Sequence, residues 1–239
     1  MPNLTGIAAG SNRYPPRSLG VFAADCPVSL GRMTAGRTGS VLEQEPGSRH
    51  PDGLVAVSLT ASGWALLYAL YRGYYGFGGT VGMIGTPSSP AEFRALNLIG
   101  AAVLLGLAVL PAAMLPAWRR PGLRRVLLAV CWVLAVGLVM HALVQDIQRV
   151  LSLAGALRVY YPPSVWVSVN RRAADVQDLA LNETWFLVEG ILWGVIGWIA
   201  LGRSPARRWW IGSALAAIAV MTLVGMLTVY GVLGRTIVY

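Results

Sequence analysis

Lysine is missing altogether from this 239-residue chain, so every one of its 19 basic side chains is an arginine. Acids are scarce as well, at 10, and charged residues make up only 12% of the chain. A soluble domain averages about 25%. So little charge cannot clothe a folded surface in water, which excludes an ordinary soluble globule and leaves lipid as the solvent. The two cysteines, Cys26 and Cys131, lie in a polar stretch and an apolar run, which argues against a disulfide. No Cys/His zinc pattern accompanies them. No G-x-x-x-x-G-K-[ST], H-E-x-x-H, G-x-S-x-G or lipidation box occurs, and no cofactor is expected.

The formal net charge is +9. A nucleic-acid binder would gather that charge on one solvated face. Here the arginines sit at the ends of apolar runs instead, and nucleic acid is excluded as a partner. Missing lysine beside abundant Ala, Gly, Val and Leu is also the mark of a GC-rich bacterial genome.

Residues 1–53 are rich in Gly, Ser, Pro and Arg and hold no apolar run long enough to cross a membrane. They read as a disordered N-terminal tail, part of which is untranslated if synthesis starts at Met33. Residues 54–239 read as a transmembrane helical domain. A helix rises 1.5 Å per residue, and about 20 apolar residues cross a core of roughly 30 Å. Five runs qualify: Leu54 to Phe77, Leu96 to Trp118, Val126 to about Gln148 (extending toward Leu157), Thr184 to Gly202, and Ile211 to Leu233. The expected fold is an all-α bundle of about five transmembrane helices, since backbone groups in lipid must bond within their own segment.

Arginine placement orients it. Arg119, Arg120, Arg124 and Arg125 crowd the second turn, and Arg203, Arg207 and Arg208 crowd the fourth. Short cytoplasmic loops carry such an excess, so the expectation is a bacterial inner-membrane protein with its N-terminus inside and its C-terminus outside. Arg149, Arg158, Arg171 and Arg172 run against that rule, because they fall on the opposite side. Trp118, Trp185, Trp209 and Trp210, with Tyr71, Tyr74 and Tyr75, read as an interfacial aromatic belt.

Ionisable groups inside a span are costly and call for an explanation. The third run carries His141, Gln145, Asp146, Gln148 and Arg149, with Asp146 within i,i+3 reach of Arg149. The fourth carries Glu189, with Glu183 at its border. These spans are antiparallel neighbours, so His141, Asp146 and Glu189 are expected at similar depth, joined by Arg72 from the first span. The expected polar cluster is Arg72, His141, Gln145, Asp146, Arg149 and Glu189, and His141, Asp146 and Glu189 are its catalytic candidates if the chain is an enzyme. Structural ion pairing is the competing reading.

In the connection at 158–183, Asn170 is suited to cap a short helix. Arg171 and Arg172 would then face Asp175, and Val176, Leu179 and Ala180 would lay the helix on the membrane surface. Asp175, Asp178 and Glu183 are weak metal candidates, since carboxylates can hold Mg²⁺. They faintly resemble the aspartate-rich motifs of membrane prenyltransferases, but the spacing is shorter and the second motif is missing. A solvated helix face is the stronger reading.

The segments ALYRGYYGFGGTVG, MHALVQDIQRVLSLAG and DVQDLALNETWFLVEGILWG resemble an uncharacterised family of bacterial multi-pass membrane proteins over roughly residues 60–235. The resemblance implies a multi-helix membrane fold and carries no activity. The functional expectation is a non-enzymatic accessory subunit or small-solute handler with an outward-facing polar cluster. Its partners would be the bilayer and either another membrane protein or a second copy. The alternatives are a lipid-modifying enzyme using His/carboxylate acid–base chemistry, and a proton-coupled small transporter.

Overall fold

A computed structural model describes residues 53–202 and 205–231. The expected tail, Met33, Cys26, Arg203 and the last eight residues lie outside the described residues. Five helices are long and apolar enough to cross a membrane. They begin with α1 (Leu54–Gly76), α2 (Pro90–Ala117) and α3 (Pro121–Leu153). A short α4 (Arg171–Gln177) passes through a π-helical turn at Asp178–Asn182 into α5 (Glu183–Ala200). The last is α6 (Ala206–Val229).

Helix ends follow local chemistry more than the apolar runs do. α2 starts six residues before its run because the Ser89 Oγ accepts a hydrogen bond from the Glu92 N–H, with Pro90 in the first turn. α3 stops at Leu153 and does not reach Leu157, because Gly155 turns left-handed at φ 75°. The expected surface helix at 171–177 is not separate: it continues through the π turn as the outer part of the fourth span.

α1 packs along α2 and also touches α5; α3 packs along α5 and α6. The α3–α5 seam is built from small residues, which let backbones approach without a cavity. Ala135, Ala142 and Cys131 of α3 are buried there, and Gly190, Gly194 and Gly197 line the facing side of α5. Trp193 and Ile196 fill the centre with Leu54, Ala61 and Met114. The outside of the bundle is the reverse of a soluble protein's. Leu59, Leu70, Ile99, Val103, Val109, Val133, Leu215, Val220 and Leu223 are each more than half exposed, and such a continuous apolar surface marks a lipid or protein contact.

The two ends differ. At one, the turns after α2 and α5 meet: the Arg124 guanidinium donates to the Ala200 carbonyl at 2.7 Å, and Arg207 donates to the Trp198 carbonyl and lies over its ring. Arginines that mark a border in the sequence thus also satisfy carbonyls near the end of α5. At the other, capped end, a small antiparallel sheet joins two connections, an addition to the expected all-helical fold. Its strands are β1 (Gly85–Pro87) and β2 (Trp166–Val169), with Gly85 opposite Val169 and Thr86 opposite Ser168. A Cβ at Gly85 would collide with the Ser168 carbonyl, so the pairing requires glycine there.

The seam makes a test. A Cβ on Gly190 would lie 2.7 Å from Val139 Cγ2 and 3.0 Å from the Val139 nitrogen, and that backbone cannot step aside. Gly190→Ala should destabilise the bundle by about 1–3 kcal/mol. Gly194→Ala, whose Cβ would meet Ala135 at 3.8 Å, should be nearly neutral. Thermal unfolding of both variants in detergent checks this.

Candidate functional site

Arg149, Asp175, Asp178 and Glu183 collect at the capped end, where α3 finishes and the fourth span begins. Arg149, on the last turns of α3, reaches across to α4 and the π turn. Its Nη1 lies 3.2 Å from Asp175 Oδ1, and its Nη2 lies 2.6 Å from Asp178 Oδ2. All three side chains are well covered, at 12%, 4% and 15% exposure. Asp175 is saturated further: the Ser152 hydroxyl donates to its Oδ2 at 2.6 Å, and the Tyr161 hydroxyl donates to its Oδ1 at 3.3 Å. Arg149 in turn donates to the Tyr161 oxygen at 2.9 Å. Burial pushes the Tyr161 phenol up to about 12, only partly offset by the Arg149 charge. It therefore stays protonated and able to donate at any physiological pH. Asp178 also accepts from the Asn182 amide.

This arrangement corrects two expected pairs. Arg149 does not pair with Asp146 along its own helix, and Asp175 does not pair with Arg171 or Arg172. An exposed i,i+3 or i,i+4 pair contributes only a few tenths of a kcal/mol. A buried carboxylate left without its cation costs far more, so the tertiary partners win. The Asn170 cap is present, its side chain accepting from the Ala173 N–H at 3.1 Å.

The expected cluster of six is divided. The ion contact of His141 is with Glu183, Nε2 to Oε2 at 3.7 Å, and its ring meets Phe186 edge-on. His141 is 46% exposed while Glu183 is buried. Glu189 lies deeper: Trp193 Nε1 donates to its Oε1 at 2.8 Å, and its Oε2 has no hydrogen bond among the described residues. No ion pair joins Glu189 to His141 among the described residues. Asp146 and Gln145 are half-buried, and Asp146 has no ion partner among the described residues. Gln148 is buried. Arg72 also stands apart from the carboxylates. It lies along Gly100 of α2 and borders a small cavity of about 80 Å³ with Tyr71, Asn97, Gln177 and Asn182. Among the described residues no group of three or more His, Cys, Asp or Glu side chains is placed to hold a metal. Asp175 and Asp178 are engaged by Arg149 instead.

Sequence reading misses an aromatic block. Tyr68, Tyr71 and Trp185 stack on one another, with Phe186 and Tyr75 edge-on to members of the stack. Trp64 and Trp185 each donate an indole N–H to the other's carbonyl, at 3.1 and 3.2 Å. Tyr71 accepts from the Gln177 amide, and Tyr68 donates to Asn182. Trp185 and Tyr71 are therefore partly buried packing residues. Trp209, by contrast, is 83% exposed. The signal was present in the spacing of Trp64, Tyr68, Tyr71 and Tyr75, which shares one helical face.

No protein family, curated protein or solved structure matches this chain. The family resemblance noted from three segments stands on those segments alone.

Removing the central cation tests the cluster. Arg149→Leu should strand two buried carboxylates and destabilise the protein by about 3–5 kcal/mol. Arg149→Leu combined with Asp175→Asn and Asp178→Asn should recover much of the loss. Detergent-solubilised melting temperatures and membrane yield report both.

Proposed function

We propose that this chain is a multi-pass protein of the bacterial inner membrane, its N-terminus in the cytoplasm and its C-terminus outside, that binds rather than catalyses. In this reading it handles a small polar solute or serves as an accessory subunit to a membrane partner or a second copy. The observation that carries it is the state of the charges at the capped end. Arg149, Asp175 and Asp178 are tied to one another. A catalytic carboxylate needs a free face toward substrate, whereas these are spent on shape. The same end opens into a wide recess lined by residues 152–160 and 171–176, which suits recognition.

The orientation rests on the two arginine-rich turns, both at the end opposite the cap. With those turns in the cytoplasm, the cap, the aromatic block and the recess face outward.

One observation favours a second reading, a membrane enzyme acting on a lipid. His141 is half exposed on the apolar third span, with the Glu183 carboxylate behind it at 3.7 Å. A histidine backed by a carboxylate is an acid–base pair.

Single cysteines test the placement in a background of Cys26→Ser and Cys131→Ala. In intact cells a membrane-impermeant maleimide should label Thr80→Cys and Ser164→Cys, and should label Gly122→Cys only after lysis. The opposite pattern would reverse the orientation. For the role, His141→Ala and Glu183→Gln should each still complement a deletion strain at normal membrane level. Complete loss with protein level unchanged would favour the enzyme.

A further inference from the structure

Three of the four arginines that run against the charge rule gather in one place. Arg158, Arg171 and Arg172 line a single open recess of about 1040 Å³, with Ser152, Leu153 and Tyr160 on its other sides. All three guanidinium-bearing residues are exposed. Arg171 is held in position, donating to the Val159 carbonyl at 3.3 Å and lying over the Tyr161 ring. Arg158 and Arg172 have no hydrogen bond or ion pair among the described residues. Asp175 also borders the recess, but both its oxygens are occupied by Arg149, Ser152 and Tyr161. The Arg149 cluster leaves one negative charge uncompensated, and the three arginines, none in an ion pair among the described residues, outweigh it, so the recess carries a net charge of about +2.

Its lip is apolar. Leu153, Val176 and Tyr160 are exposed around it, and Val150 and Ile147 continue the exposed stripe down α3. Three cations above an apolar track match an amphiphile with an anionic head. The depth fits too. From Val126, just past the arginine turn, to Ser152 the helix rises about 39 Å, and the bilayer with its headgroups is about 40–45 Å thick. The recess therefore opens at headgroup level on the far side from that turn.

We infer that this recess is a binding site for a phosphodiester-bearing anionic lipid, with the phosphate between Arg158, Arg171 and Arg172 and an acyl chain along Leu153, Val150 and Ile147. Arginine suits the task because its planar fork meets two phosphate oxygens at once. The inference deepens the reading of the capped end as a binding surface, and rests on it. The cysteine labelling described above tests that placement independently, so the failure of one is distinguishable from failure of the other. A phosphate site has two sources, a lipid headgroup or a free phosphate, and the test separates them.

The full chain is purified in neutral detergent, and lipid retention is measured by native mass spectrometry at low salt with phosphatidylglycerol or phosphatidylcholine added. Phosphatidylglycerol should be retained at least about fivefold more than phosphatidylcholine, since one arginine near a lipid surface is worth roughly that factor. Arg158→Gln with Arg172→Gln should remove most of that preference, bringing retention of the two lipids close to equal, with the melting temperature unchanged because neither side chain has a protein partner. Arg94→Gln, a charge loss elsewhere on the same end, should leave the preference intact. Equal retention of the two lipids, or a double variant that binds as the parent does, would overturn the assignment. So would full displacement of phosphatidylglycerol by millimolar inorganic phosphate, which would give the recess to a free anion.

Discussion

Arg149 between Asp175 and Asp178 is the contact on which the capped end depends. It is made across elements: α3 supplies the cation, and α4 with the π turn supplies the anions. Through Asp175 it also gathers Ser152 and Tyr161, so the connection after α3 is pulled down onto the fourth span. Buried charge is unfavourable unless it is paired and hydrogen-bonded. That demand is what gives the interaction its directional force. An apolar contact of equal area would hold the elements together without saying which way Arg158, Arg171 and Arg172 face.

The rest of the bundle follows a different logic. Apolar side chains cannot drive helices together in a solvent as apolar as themselves, so close packing and inter-helix hydrogen bonds take over. The α3–α5 seam shows the first, with glycine and alanine where larger residues would separate the backbones. The reciprocal indole-to-carbonyl bonds of Trp64 and Trp185 show the second, pinning α1 to α5. Rigidity built at the seam and the aromatic block is what allows the capped end to present a fixed polar surface.

Much of the fold was legible from composition and run length. Five spans were expected, and among the described residues five helices are long and apolar enough to cross a membrane, as expected of continuous apolar stretches of about 20 residues. Boundaries were less legible, since Ser89 and Gly155 act through backbone hydrogen bonds and dihedral angles that a hydropathy run does not register. The site was legible in its ingredients and not in its pairing. His141, Arg149 and Glu189 were recognised as costly residues, but the helical phase connecting Asp175 and Asp178 to Glu189 is broken by the π turn. One extra residue in a turn rotates what precedes it by about 100°, enough to send both aspartates toward α3.

The amino-acid sequence by itself determined which segments are long and apolar enough to cross a membrane and the placement of arginine at their ends. Each of these depends on one segment meeting its surroundings. Only the tertiary structure decided that Arg149 leaves Asp146 for two aspartates, that His141 meets Glu183 and not Glu189, and that three arginines spread over fifteen positions line one recess. Those outcomes are competitions between partners distant in the chain, settled by burial, and burial does not exist until the helices have packed.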